Sequence, residues 1–291
     1  MKNSKTLTFF IHAIFIIMTI GFLVPFLIII SVSISNEDDI VRYGFSLIPR
    51  QIDFTAFKIL FEDFSKIGRS LLLTAIVSIV APFCACAVQA LIAYPLARDD
   101  YRLRKPLTWF VVFTMVFSGG TIPTYVFMTK YYHLGNNPLL YILSGMVTAW
   151  GIILYRTFFK GISPSLIESA FIDGANQVQI IWYVILPMAK AIFAIQYFTG
   201  LINRWNDFQT SLLYMTDEKW FTIQYFMQRI LNDAEVLKQA YAQAGLDNQI
   251  DIPIMTMRYA MCIIAVLPVF ILFPYVQKYF SKGLAVGSVK G

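Results

Sequence analysis

Few residues of this 291-residue chain have the type and spacing to do chemistry, and most stand in one polar stretch between long apolar runs, residues 161–188. Glu168 supplies a fixed negative charge there. Ser165 precedes it at capping-box spacing and Pro164 suits a first helical turn, so a short helix is expected from about Pro164 to Ile172. Gly174 permits a positive φ, which lets the chain reverse. A second short helix, about Asn176 to Leu186, should stop near Pro187, which has no N–H to donate. Two short helices around a glycine turn make a knob whose carboxylate can pair with a partner's Arg or Lys. Phe171, Ile180, Ile181 and Trp182 offer apolar area suited to a groove. From the residues alone, a helical hairpin packed on the chain's own surface is an equal reading.

A second group is Arg204-Trp205-Asn206-Asp207 near one end of an apolar run. Ionisable groups inside a membrane are costly, so Arg204 and Asp207 should face a cavity or each other. A tryptophan beside an amide and a carboxylate is a sugar-binding set; an interfacial anchor with a local ion pair is the alternative. Gly119, Gly120 and Pro123, with Tyr125 after them, interrupt a third apolar run. Freed backbone groups there must face protein or water, and broken helices of this kind line transport paths. Close helix packing through small residues explains them equally well.

Other chemistry is not indicated. Cys84, Cys86 and Cys262 lie in apolar runs without ligand partners, and His12 and His133 are isolated, so no metal site and no catalytic residue is assigned. The chain carries no Gly-x-x-x-x-Gly-Lys-Ser/Thr phosphate loop, no His-Glu-x-x-His and no Gly-x-Ser-x-Gly.

The elements that position these groups follow from composition. At 58% hydrophobic and 14% charged residues, with a mean hydropathy of +0.65, the chain reads as an all-α membrane protein. About 20 apolar residues cross a bilayer as helix. Six segments are that long: roughly 9–34, 70–97, 107–129, 139–159, 188–210 and 259–280. The first is too long for a cleaved signal peptide and is expected to be retained. Arg98, Arg102, Arg104 and Lys105 crowd one turn, on the side of Lys2, Lys5, Lys278, Lys282 and Lys290. By the positive-inside rule that side, with both termini and the 161–188 loop, is cytoplasmic, which also accounts for the net charge of +6 without nucleic acid. In the outer loop, about 211–258, Ile223, Phe226, Met227, Ile230, Ala234, Leu237, Tyr241 and Ala244 recur at helical steps, with Gly245 and Pro253 bounding the end. That helix either folds onto the chain's own outer surface or offers a docking face.

Glu168-Ser169-Ala170, Gly174 and Val184-x-Leu186-Pro187 resemble the Glu-Ala-Ala loop of ABC-importer permeases, with Ser169 for alanine and Val184 for isoleucine. The tail Gly283–Gly291, the Trp205–Phe208 stretch and Ser118–Tyr125 are similar to those of carbohydrate-importer permeases, MalG-like, in the oligosaccharide branch. The resemblance implies a type I permease fold of six transmembrane helices in one domain over 1–291: a first span about 9–34, a core about 70–281, a cytoplasmic coupling loop 161–188 and an extracellular helical loop 211–258. It implies that Glu168, Gly174 and Pro187, with Ala170, Asp173 and Leu186, couple the chain to a separate ATPase. Gly119, Gly120, Pro123, Tyr125, Trp205, Asn206 and Asp207 are the substrate-path candidates. The implied partners are a second homologous permease, two ATP-binding subunits that hold ATP and Mg, an extracellular sugar-binding protein, a sugar, and the lipid of a bacterial cytoplasmic membrane. No cofactor is expected on this chain. A stand-alone secondary transporter and a membrane scaffold recruiting a soluble partner are the rival functions; the first would need deep ion-coupling charges and an inverted repeat.

Overall fold

The computed structural model describes residues 2–62, 64–244 and 252–287, with side chains over 7–62, 64–244 and 252–271. Among the described residues every regular element is helical, and extended backbone pairs only at an isolated bridge, Ser35 with Ile52. In chain order the helices are α1 (Lys2–Ser33), α2 (Glu37–Tyr43), α3 (Thr55–Phe61), α4 (Phe64–Ala97) and α5 (Arg104–Val116). Then come α6 (Thr121–Tyr131), α7 (Leu139–Leu143), α8 (Ala149–Lys160), α9 (Pro164–Ile172) and α10 (Gln177–Met188). The last are α11 (Lys190–Trp205), α12 (Gln209–Tyr214), α13 (Ile223–Gln243) and α14 (Ile254–Gly287).

The six segments expected to cross take different forms among the described residues. Leu7–Ser33 in α1, α4, and Ile254–Ile271 in α14 are unbroken helices long and apolar enough to span. The expected third span is two helices, α5 and α6, bent by 112°. The fifth is α11, entered from α10 through a 77° bend. The fourth, drawn over 139–159, is divided into α7 and α8 by residues 144–148. The physical reason for the first of these breaks is local. Gly120 adopts φ +83°, a left-handed conformation that costs an L-residue with a side chain roughly 1–2 kcal/mol. Its carbonyl is then met by the Thr124 hydroxyl at 2.7 Å. A Cβ built on Gly120 would meet nothing within 4 Å, so the glycine serves the bend and not a close helix contact.

The chain forms two compact units, residues 1–67 with 226–272 and residues 68–225 with 273–291. In the first, the most apolar part of α1 buries nothing within the chain. The N-terminus of α14 is held by the Glu37 carboxylate, which accepts from the Met255 and Thr256 N–H groups at 2.9 Å each. A carboxylate there satisfies donors that a helix start leaves unpaired. Arg258 of α14 pairs with Glu235 of α13 at 2.6 Å. The helix expected from the Ile223–Ala244 pattern forms as α13, with Pro253 just before α14; Gly245 lies outside the described residues, as do Ser288 to Gly291 of the tail. On α13 Phe226 and Met227 are buried, whereas Val236 and Leu237 are exposed.

The second unit has its core where α4, α8 and α10 meet: Cys86, Ala90, Ala93, Tyr155, Phe159, Ile180 and Ile185 among them. Of the three cysteines whose apolar runs suggest burial, Cys86 is buried among apolar groups, Cys84 is half-buried and Cys262 is exposed. Polar side chains answer the breaks. Gln89, 5% exposed, donates to the Met146 carbonyl in the gap between α7 and α8, and Arg156 donates to the Leu96 carbonyl where α4 ends. At the other end of this unit the buried Tyr141 hydroxyl meets Ser211 and the Trp220 carbonyl.

Gly200 brings α11 against α4: a Cβ built there would lie 2.8 Å from the Pro82 Cβ and 3.6 Å from its Cα. Gly200→Val should therefore cost about 1–3 kcal/mol by overpacking, read as a lower thermal-unfolding midpoint of the purified protein. Gly21→Val, where the added Cβ meets open space, is the control that should not lower it.

Candidate functional site

The polar stretch folds as two helices around a glycine. Helix α9 spans the expected Pro164–Ile172, Gly174 has φ +83°, and α10 follows from Gln177. The capping box, however, is not Ser165 with Glu168. Because Pro164 opens the helix, Ser163 takes the cap position, and the two serine hydroxyls bond each other at 2.7 Å. The box forms one helix later. Asn176 Oδ1 accepts from the Gln179 N–H at 2.9 Å, and Gln179 Oε1 accepts from the Asn176 N–H at 2.8 Å. Helix α10 ends near Pro187, as expected, one residue beyond it. A π-type widening over Ile181–Ile185 carries it past the proline to Met188, absorbing the ladder bond that the missing N–H cannot make.

Two interactions fix this knob to its own unit. Ile180 and Ile185, 0% and 1% exposed, insert into the α4–α8 core. Ile180 is thus an anchor and not part of an outward apolar face. Arg98, just past α4, is the second tie. Its guanidinium pairs with Asp100 at 2.6 Å and donates to the Tyr94 hydroxyl at 3.1 Å and to Gln177 Oε1 at 3.3 Å. It also lies 5.2 Å from the Phe171 ring centre, over its face. One cation thereby binds the ends of both short helices. The hydrogen bonds to Asp100 hold Arg98 protonated far above any working pH, and they lower the Asp100 carboxyl from its ordinary 3.8.

The coupling candidates lie on the free side. Glu168, Asp173, Gly174 and Pro187 are exposed, and Ala170 and Leu186 are half-buried. Glu168 makes no ion pair or hydrogen bond among the described residues; it stands on the rim of a cavity of about 360 Å³ shared with Arg98, Asp100, Lys160 and Phe171. Ile172, Val178 and Tyr183 are each more than 60% exposed and broaden the apolar face, with Trp182 at 64%. An uncompensated carboxylate beside exposed apolar rings is a surface for a cationic, grooved partner.

The substrate-path candidates are not gathered in one place. Gly119, Gly120 and Pro123 form the α5–α6 bend, and Tyr125 stacks on Tyr214 at 5.5 Å. Arg204 and Asp207 face each other at 3.0 Å. Asp207 also accepts from the Thr210 N–H and hydroxyl, which starts α12. Asn206 turns back to the Ile202 carbonyl at 2.9 Å, and Trp205 is 5% exposed. In this conformation that trio ends one helix and begins the next.

What the sequence reading missed lies beside it. A cavity of about 350 Å³ runs between α4 and α11 and across the α7–α8 break. Helix α11 lines it with Gln196, Thr199, Gly200, Asn203 and Arg204, a stripe at three- and four-residue steps. Gln89 and Thr148 face it, and Trp150, 64% exposed, stands at its side. Gln196, Thr199 and Asn203 form no side-chain hydrogen bond among the described residues, though they belong to a segment read as a span. The helical period of polar residues inside an apolar run was the available signal.

Comparison with known proteins agrees with this architecture. Residues 89–286 match the family model described as binding-protein-dependent transport system inner membrane component. The polygalacturonan/rhamnogalacturonan transport system permease protein of Bacillus subtilis is 32% identical over 292 residues, all of both chains. Protein LplC of the same organism is 33% identical over 92% of this chain and 90% of its own. Among solved structures, a bacterial ABC transporter involved in the import of the acidic polysaccharide alginate has a chain with TM-score 0.78 and 27% identity, covering 95% of this chain and 98% of that one.

Removing the Arg98 tie should loosen both short helices together. Arg98→Ala is expected to speed amide exchange across residues 164–188 roughly tenfold, the equivalent of about 1.4 kcal/mol for lost hydrogen bonds to a charged group. Asn176→Ala, costing about 1 kcal/mol, should affect α10 alone. Since the Asp100 carboxyl is lowered in the folded chain, its contribution is complete above 3.8 and disappears as acid protonates it. Exchange protection should fall with pH below that value, and Asp100→Asn should flatten the fall.

Proposed function

Since the chain belongs to the family of binding-protein-dependent transport system inner membrane components, we propose that it is the permease subunit that carries a sugar, an oligosaccharide in particular, and couples to a separate ATPase through residues 161–188. It is a membrane component of a bacterial ABC importer and not an enzyme. The sugar rests on the names of its relatives, one a polygalacturonan/rhamnogalacturonan transport system permease and another a transporter involved in the import of the acidic polysaccharide alginate. The coupling role rests on one observation above the others: Glu168 is exposed and, among the described residues, unpartnered, on a knob whose own attachment runs through Arg98, Ile180 and Ile185.

Mechanically, a surface that transmits force must be stiff towards its own subunit and free towards the other. Arg98 joins α9, α10 and the end of α4, so a push on Glu168 or Pro187 moves α4 and, through the 77° bend at Ala189, α11. Those two helices wall the polar groove. Closure of paired ATPases would then change the groove's width, which is alternating access. The assembly this requires is a second permease, two ATP-binding subunits holding ATP and Mg, and an extracellular sugar-binding protein. Both termini and the 98–105 turn are cytoplasmic in this reading, because their Lys and Arg follow the positive-inside rule. Gly119, Gly120, Pro123 and Tyr125 shape the path at the α5–α6 bend, Asp207 fixes Arg204 beside it, and Asn206 and Trp205 hold the end of α11.

The test is the assembled complex in proteoliposomes with its binding protein. Gly174→Pro and Glu168→Arg should leave the subunits co-purifying and ATP hydrolysis measurable, while ATP-driven sugar uptake falls at least tenfold. Uptake at the unmutated rate would remove the coupling role. A purified assembly without any ATPase would remove the importer reading as a whole.

A further inference from the structure

We propose that the polar groove of this chain is a subsite for an acidic sugar unit, with Arg204 as the contact for its carboxylate. The inference rests on the sugar-permease reading and adds the charge class of the cargo and the residues that sense it.

Charge in the groove is one-sided. Among the described residues its lining contains one cation, Arg204, and no carboxylate. Asp207 pairs with Arg204 from outside that lining, and its acceptors are taken: Oδ2 receives Arg204 Nη1 at 3.0 Å and the Thr210 hydroxyl at 2.6 Å, and Oδ1 receives the Thr210 N–H. Arg204 is less committed. A guanidinium has five N–H donors in a fork, and Asp207 accounts for one of its nitrogens. Nη2 lies beside Gly145, where an added Cβ would come within 3.0 Å, so the glycine keeps space around that donor. Asp207 thus sets the guanidinium's orientation while leaving donors for a second carboxylate.

The neighbours suit the rest of a sugar. Gln196, Thr199 and Asn203 share the Arg204 face of α11 and have no hydrogen-bond partner among the described residues. Unpaired amides and hydroxyls in a spanning helix are costly against lipid, which points them to water or ligand hydroxyls. The Trp150 ring, exposed at the groove's side, offers a flat apolar face to a pyranose. About 350 Å³ is the volume of a small ligand site. One cation, three amide or hydroxyl groups and one aromatic face make a uronate set. A neutral sugar would leave the free guanidinium edge desolvated and unanswered, which is how a polar site rejects the wrong ligand.

The experiment uses the complete transporter with its binding protein in proteoliposomes and compares uptake of trigalacturonate with its fully methyl-esterified form, equal in length but neutral. In the wild type the acid should be favoured. Two variants should each lower the acid-to-ester uptake ratio at least tenfold: Arg204→Gln combined with Asp207→Asn, which removes the pair without stranding a charge, and Gln196→Glu, which adds a carboxylate and leaves the pair intact. Co-purification of all subunits checks assembly for both. A ratio unchanged in both variants, or a wild type that prefers the ester, overturns the charge assignment while the sugar reading stands. Transport of neither compound nor of any other sugar overturns the sugar reading, and this inference with it.

Discussion

A backbone carbonyl released from a helix inside hydrocarbon finds no water, and leaving it unpaired costs several kcal/mol. This chain breaks its apolar segments at least at two points, after Val116 and after Leu143, so the rest of the structure is organised around satisfying or using those breaks. Gln89 reaches 57 residues along the chain to the Met146 carbonyl, Thr124 covers Gly120, and Arg156 covers Leu96. These three polar side chains, in otherwise apolar surroundings, each pair with a backbone group. Gln196, Thr199 and Asn203, which make no side-chain hydrogen bond among the described residues, line the polar groove.

The same logic links the knob and the groove. The knob at 161–188 is built from local rules: a proline at a helix start, a glycine at a turn, an Asn–Gln capping box. Its stiffness is not local. Arg98 and the Ile180–Ile185 pair tie it to α4 and α8, and α4 also walls the groove. In the proposed coupling role, α10 is the arm and its 77° junction with α11 is the bend.

Much of this was legible from residues. Pro164 and Gly174 located α9 because proline and glycine act within one or two residues of themselves. Placing the capping box at Ser165 failed because two serines straddle Pro164 and spacing cannot say which one the helix selects. Ile180 looked like outward apolar surface because Ile180, Ile181 and Trp182 are consecutive apolar residues, and which of them is buried is set by packing against α4 and α8. The segments near 107–129 and 139–159 have the hydropathy of spans, and hydropathy averages over the breaks that divide them.

Composition and spacing by themselves determined that the chain is helical and membrane-embedded and that a polar knob interrupts it, because those properties depend on neighbours within a few turns; the family came from the resemblance of the knob's motif to known permeases. Only the tertiary structure decided where the helices bend, that Arg98 locks both arms of the knob, and that Gln89, Thr148 and the α11 stripe share one cavity. The reason is distance along the chain: residues 89, 148 and 204 meet through packing of α4 on α11 at Gly200, and no local pattern encodes which apolar helices approach closely.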